Sequence, residues 1–143
     1  MQKLIMGTLG LATAIAAMTM GGNPAFGQTV AITPQFQPDP MVLQGTSGGG
    51  QASSNCGSIA TAPNHVVQLN SDFSYLRFSL QGDGQPTLLI RLPNGTTSCI
   101  SADADSGRIN APGYWEQGSY AFYVGDRSGG QYPYTLSITQ RRN

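Results

Sequence analysis

From Cys56 onward, apolar and polar residues alternate with a period of two. In the run Phe73 to Leu80, the residues Leu76, Phe78 and Leu80 share one face, and Tyr75, Arg77 and Ser79 share the other. Successive side chains of a strand point to opposite faces, so this pattern predicts a half-buried strand. The same reading applies to Pro86–Leu92, with Leu88, Ile90 and Leu92 inward, and to Ser119–Gly125, with Tyr120, Phe122 and Val124 inward. It applies again to Tyr134–Gln140, with Tyr134, Leu136 and Ile138 inward, and to His65–Asn70, where Val67 and Leu69 alternate. Thr96–Ala102 reads as a strand carrying Cys99, and Arg108–Asn110 as a short edge piece ended by Pro112-Gly113. Turn chemistry separates these runs: Gln81-Gly82-Asp83-Gly84, Pro93-Asn94-Gly95, Glu116-Gln117-Gly118 and the loop Asp126–Gln131. About seven short strands at roughly 8–12-residue spacing predict an all-β, antiparallel sandwich or jelly roll of seven to eight strands. No stretch after residue 27 carries an apolar helical period over three turns, so helix content should be near zero.

The chain opens differently. Lys3 precedes an uncharged apolar run from Leu4 to Met20, followed by the helix breaker Gly21-Gly22-Asn23-Pro24 and the small-residue ending Ala25-Phe26-Gly27. These are the three parts of a secretory signal, predicting cleavage between Gly27 and Gln28 and an exported protein, periplasmic or extracellular, with no membrane span after cleavage. Residues 28–55 hold Pro34, Pro38, Pro40 and the run Gly45–Gly50, with few apolar residues, and read as a mostly flexible leader, in which Phe36 and Met41-Val42-Leu43 are the exceptions, suited to an edge segment against the domain or to a partner. Residues 56–143 are then the folded domain.

Composition sharpens this picture. Of 143 residues, 10% are charged, and seven Lys and Arg balance seven Asp and Glu. The one lysine, Lys3, falls in the export signal. A phosphate-binding surface needs clustered cations, so nucleic acid is excluded as a partner. Cys56 and Cys99 are the only cysteines, with neither CxxC spacing nor histidine support for a metal. In an exported chain they predict a structural disulfide. A domain this small buries a modest share of its surface, and a bridge closing such a loop contributes roughly 4 kcal/mol.

The block Leu76–Gly95, LRFSLQGDGQPTLLIRLPNG, followed by GSYAFYVGD at Gly118–Asp126 and YTLSITQ at Tyr134–Gln140, resembles the bacterial pre-peptidase C-terminal (PPC) domain. It also resembles small stand-alone exported proteins of cyanobacteria. The resemblance implies a non-catalytic β-sandwich that accompanies secreted proteases or stands alone. Some members bind calcium or engage polymeric substrates. Calcium-binding members carry acids in the strand before the Pro-Asn-Gly turn, where this chain has Gln85, Thr87 and Leu89, so that site does not transfer.

Candidate chemistry is sparse. Asp103 and Asp105, before Ser106-Gly107, form a weak calcium candidate that needs further oxygens, for which Asp83, Glu116 and Asp126 are candidates where their loops meet. Otherwise no cofactor is expected. His65, the single histidine, sits at a strand start and reads as a surface residue; there is no G-x-S-x-G or H-E-x-x-H run, and no enzyme is expected. Asn94-Gly95-Thr96 matches a glycosylation sequon but is explained by the Asn-Gly turn. The aromatic set Tyr75, Tyr114, Trp115, Tyr123 and Tyr132 offers ring faces with polar tips, suited to stacking on a polysaccharide or an extracellular protein. The competing role for these rings is filling the core of a thin sandwich. The expectation is therefore an exported, non-enzymatic binding or surface-associated module, with carbohydrate or cell-wall polymer binding and calcium-accessory roles as its sharper variants.

Overall fold

The computed structural model describes residues 28–103 and 105–143, so the predicted export signal lies outside the described residues. Eleven strands form two sheets, and no helix occurs among the described residues. In chain order they are β1 (Gln28–Ile32), β2 (Met41–Thr46), β3 (Gln51–Ser53), β4 (Gly57–Ile59), β5 (His65–Leu69), β6 (Phe73–Gly82), β7 (Pro86–Arg91), β8 (Thr97–Ser101), β9 (Arg108–Trp115), β10 (Gly118–Asp126) and β11 (Pro133–Thr139).

The second sheet has the order β2-β11-β6-β9, antiparallel throughout. The first sheet is built around β10. Its residues Ala121 and Phe122 pair with β5 on one edge and β7 on the other, β8 extends beyond β7, and β1 runs parallel to β5. The β3–β4 hairpin joins the far end of β10 at Asp126. The inner faces of the two sheets meet in one core. Leu76, Phe78 and Leu80 of β6, Leu88 and Ile90 of β7, Phe122 and Val124 of β10, and Leu136 and Ile138 of β11 are all buried there, on the faces their alternation predicts. Burying each large side chain contributes about 1.5–3 kcal/mol, which is the principal stabilising term.

Residues 28–55 are not a flexible leader. They supply β1, β2 and β3 and contribute Ile32, Phe36 and Leu43 to the core, with Phe36 edge-on to Phe73 at 6.4 Å. The folded unit therefore takes in this segment as well as residues 56–143. A strand added to an existing sheet needs few apolar anchors, because its backbone bonds are supplied by the neighbour. The glycines also serve close packing. A Cβ on Gly45 would overlap the phenol of its cross-strand partner Tyr134, so glycine lets that ring lie over the strand. Likewise β9 is longer than its predicted edge piece and runs through Pro112, which an edge strand accommodates.

Cys56 and Cys99 are bridged, with Cα atoms 5.8 Å apart. The bridge ties the β3–β4 turn to edge strand β8. On the outer face of the first sheet, Thr87 donates a 2.6 Å hydrogen bond to the Cys56 carbonyl and is fully buried beneath that turn.

Candidate functional site

The two sheets part along one side of the sandwich. There β8 is the edge of the first sheet and β9 the edge of the second. Between them lies a groove of about 920 Å³, lined chiefly by Leu92, Pro93, Ile100, Tyr114, Trp115 and Tyr120. The Pro93-Asn94-Gly95 turn between β7 and β8 meets the β9–β10 turn at one end of this groove. Gly118 makes that approach possible: its φ is +145°, and a Cβ there would lie 2.6 Å from the Pro93 ring.

Trp115 is half-buried. Its ring packs on Phe78 at 4.6 Å and edge-on to Tyr120 at 5.2 Å, so it joins the core to the groove. Tyr120 forms part of the floor and donates from its hydroxyl to the Glu116 carbonyl at 2.8 Å. Tyr114 is the exposed ring, at 59% of its full surface. Desolvation first, then the Asp72 and Glu116 carboxylates, push the Tyr114 and Tyr120 hydroxyls above the ordinary phenol value. Both rings therefore stay neutral near pH 7 and keep their hydroxyl protons.

The other predicted aromatics are not gathered here. Tyr123 does lie opposite the apolar row, but it is 5% exposed, covered on the outer face by neighbours that include Arg91, whose guanidinium sits 5.4 Å from the ring centroid. Tyr75 is on the outer face of the second sheet, with Arg142 stacked on it at 4.5 Å. Tyr132 packs against Gly84 and Gly130 at the opposite end of the sandwich, roughly 30 Å along β6 from the β9–β10 turn. The expected five-ring surface thus reduces to Tyr114 and Trp115. The apolar floor, Ile90 and Tyr120, belongs to rows read from the sequence only as core. The signal for the groove lay in the two edges flanking the Pro-Asn-Gly turn, which only topology brings together.

Asp103 and Asp105 are exposed in the β8–β9 connection, where the Asp103 carboxylate accepts the Asp105 N–H at 3.4 Å. No group of three metal-ligating side chains occurs among the described residues. Thr87 is committed to the Cys56 carbonyl, and the Gln85 N–H is donated to Asp126 at 2.9 Å. Asp126 itself is fully buried. Desolvation pushes its pKa up, but hydrogen bonds from Ser128, Gln85 and Gly130 outweigh this and hold it below the usual carboxylate value.

His65 is not a surface residue. It is 1% exposed between the sheets, with Nε2 at 2.7 Å from the Tyr134 hydroxyl, and burial lowers its pKa to about 4. Burial also raises the Tyr134 hydroxyl well above its ordinary value, opposed by a hydrogen bond from Asn64. The pair is a polar rivet across the core, closed to solvent.

The architecture is that of a PPC-like β-sandwich. It matches the pre-peptidase C-terminal domain of a collagenase from Bacillus anthracis with a TM-score of 0.51 and 17% identity, covering 79% of this chain and 96% of that one. In sequence, the chain is 36% identical over 105 residues to an uncharacterized protein of Synechococcus elongatus, spanning 71% of this chain and 76% of the relative. It belongs to the family of that cyanobacterial protein. No family model matches the chain.

Proposed function

We propose that this protein is an exported, non-enzymatic binding module that takes a strand of polysaccharide in the groove between β8 and β9. The observation that carries the reading is the pairing of an open ring, Tyr114, with the anchored ring of Trp115 in a groove between two sheet edges. Sugar rings present an apolar C–H face and a hydroxyl rim. The groove offers the complement, with aromatic and aliphatic walls and Asn94, Ser98 and Glu116 around them. The PPC-like fold and the disulfide are consistent with an extracellular or periplasmic setting. Nothing catalytic is needed: the single histidine is buried against Tyr134, and both thiols are bridged.

The test is retention of the purified protein on insoluble uncharged polysaccharides at low salt. The expected result is retention that Tyr114→Ala abolishes while the melting temperature stays in place. An unretained wild-type protein, or a Tyr114→Ala protein retained as well as wild type, overturns the groove reading.

A further inference from the structure

The outer face of the second sheet carries a feature that the groove does not use. Alternation along β6, β9 and β11 turns Arg77, Ser79, Arg108, Asn110, Thr135 and Ser137 outward, around a hollow of about 330 Å³. The register sets the layout. Ser79 lies between Asn110 on β9 and Ser137 on β11, while Arg108 lies opposite Gln81 in one direction and Arg77 opposite Pro112 in the other. The two arginines therefore bracket a hydroxyl and amide floor, their backbone positions roughly 13 Å apart along the strands.

Three observations separate this hollow from an ordinary solvated face. None of its lining residues is acidic, although Asp and Glu equal Lys and Arg in number over the whole chain. Arg77 makes no hydrogen bond through its buried Nε among the described residues. A guanidinium presents its terminal N–H groups as a fork shaped for carboxylate or sulfate. Finally, Ser79 donates to the Asn110 Oδ1 at 2.8 Å, which leaves the Asn110 amide N–H groups free to reach a second acceptor.

We propose that this hollow is a binding site for an acidic polysaccharide, with Arg77 and Arg108 pairing to its carboxylate or sulfate groups and Ser79, Asn110, Thr135 and Ser137 bonding its hydroxyls. The hydroxyl-rich floor matches a sugar more closely than a nucleic acid strand, because no aromatic ring lines the hollow for bases to stack on. The site goes beyond the groove and uses the opposite chemistry, since the groove's rim carries Glu116.

Immobilised polygalacturonate, uncharged cellulose and a thymidine oligonucleotide serve as three probes of the purified full chain. The expected result is retention on polygalacturonate that added salt releases. Arg108→Gln, at an exposed position, lowers it about threefold, and Arg77→Gln, at a partly buried one, about tenfold. Arg77→Lys restores the charge without the fork and recovers only part of the binding. Tyr114→Ala leaves the salt-released part of polygalacturonate retention intact, which separates this site from the groove. The proposal is overturned by a wild-type protein that ignores polygalacturonate, by retention that both glutamine variants leave unchanged although their melting temperatures match wild type, or by tighter binding to the oligonucleotide. Loss of cellulose retention alone removes the groove reading and leaves this one standing.

Discussion

The two sheets treat their outer faces differently. On the second sheet, β6 alternates strictly: Leu76, Phe78 and Leu80 are buried, and Arg77 and Ser79 between them reach the surface. On the first sheet, β10 is buried at every residue from Phe122 to Asp126. Its outer face is roofed by the disulfide-held β3–β4 turn over Thr87, by Arg91 over Tyr123, and by the loop that clamps Asp126. A covered face stabilises and an open one is available for recognition. Both candidate binding surfaces accordingly involve the second sheet, one on its outer face and one along its β9 edge.

The sharpest way to break this contrast is to remove the roof's fastening. The bridge joins residues 43 apart in sequence, and a loop of that size corresponds to roughly 4 kcal/mol of lost unfolded-state entropy. Cys56→Ser with Cys99→Ser should lower stability by about that amount in urea denaturation. Amide exchange should quicken in β4 and the end of β10 before it does in β6. Uniform loosening of both sheets would contradict the idea of a separate roof.

Asp126 comes next. Its carboxylate accepts from the backbone N–H groups of Gln85 and Ser128 and from the Ser128 hydroxyl. Asp126→Ala leaves those donors buried without acceptors and should cost about 3 kcal/mol. The folded pKa is depressed below 3.8, so the stabilisation is present above that value and is lost as pH falls through the folded pKa. Wild type should therefore lose stability steeply below about pH 4, and the variant should lose less.

These two regions also show what a sequence can reveal. The rows of β6 and β11 were legible because one face is dry and the other wet, so period two maps onto burial. The disulfide was legible because only one pairing exists. Tyr123 was misplaced because the roof over it comes from elsewhere in the chain, and the alternation of β10 says nothing about it. Residues 28–55 were misread because Ile32, Phe36 and Leu43 are too widely spaced to register as a core, although each fills a place left by β5, β6 or β11. His65 was misplaced for a similar reason: its partner Tyr134 is 69 residues away, on the other sheet. The groove needs two edges, β8 and β9, whose proximity no local pattern encodes.

His65 gives a separable effect, confined to a higher pH window. Its folded pKa of about 4 lies below the ordinary imidazole value of 6.5, so the unfolded chain binds more protons in between. Stability from the neutral ring is full above 6.5, declines as pH falls, and is gone near pH 4. The melting temperature should drop by roughly 10 °C across that window. His65→Gln should flatten the slope there and leave the steeper acid limb of Asp126 untouched. A slope unchanged by His65→Gln would mean that the ring is open to water.

The smallest stability effect falls on the open face, and its smallness is informative. Tyr114 is 59% exposed and Tyr123 is 5% exposed, yet both are tyrosines on strands that neighbour the groove or its sheet. Tyr123→Ala removes a covered ring from beneath Arg91 and should cost about 3 kcal/mol. Tyr114→Ala removes a ring that the fold leaves mostly in water and should change stability by no more than about 0.5 kcal/mol. Trp115→Ala should fall between them, because its ring packs on Phe78 and Tyr120 while lining the groove. A Tyr114→Ala protein as damaged as the Tyr123→Ala one would mean that Tyr114 is held by packing, and the groove would then have no exposed ring with which to engage a ligand.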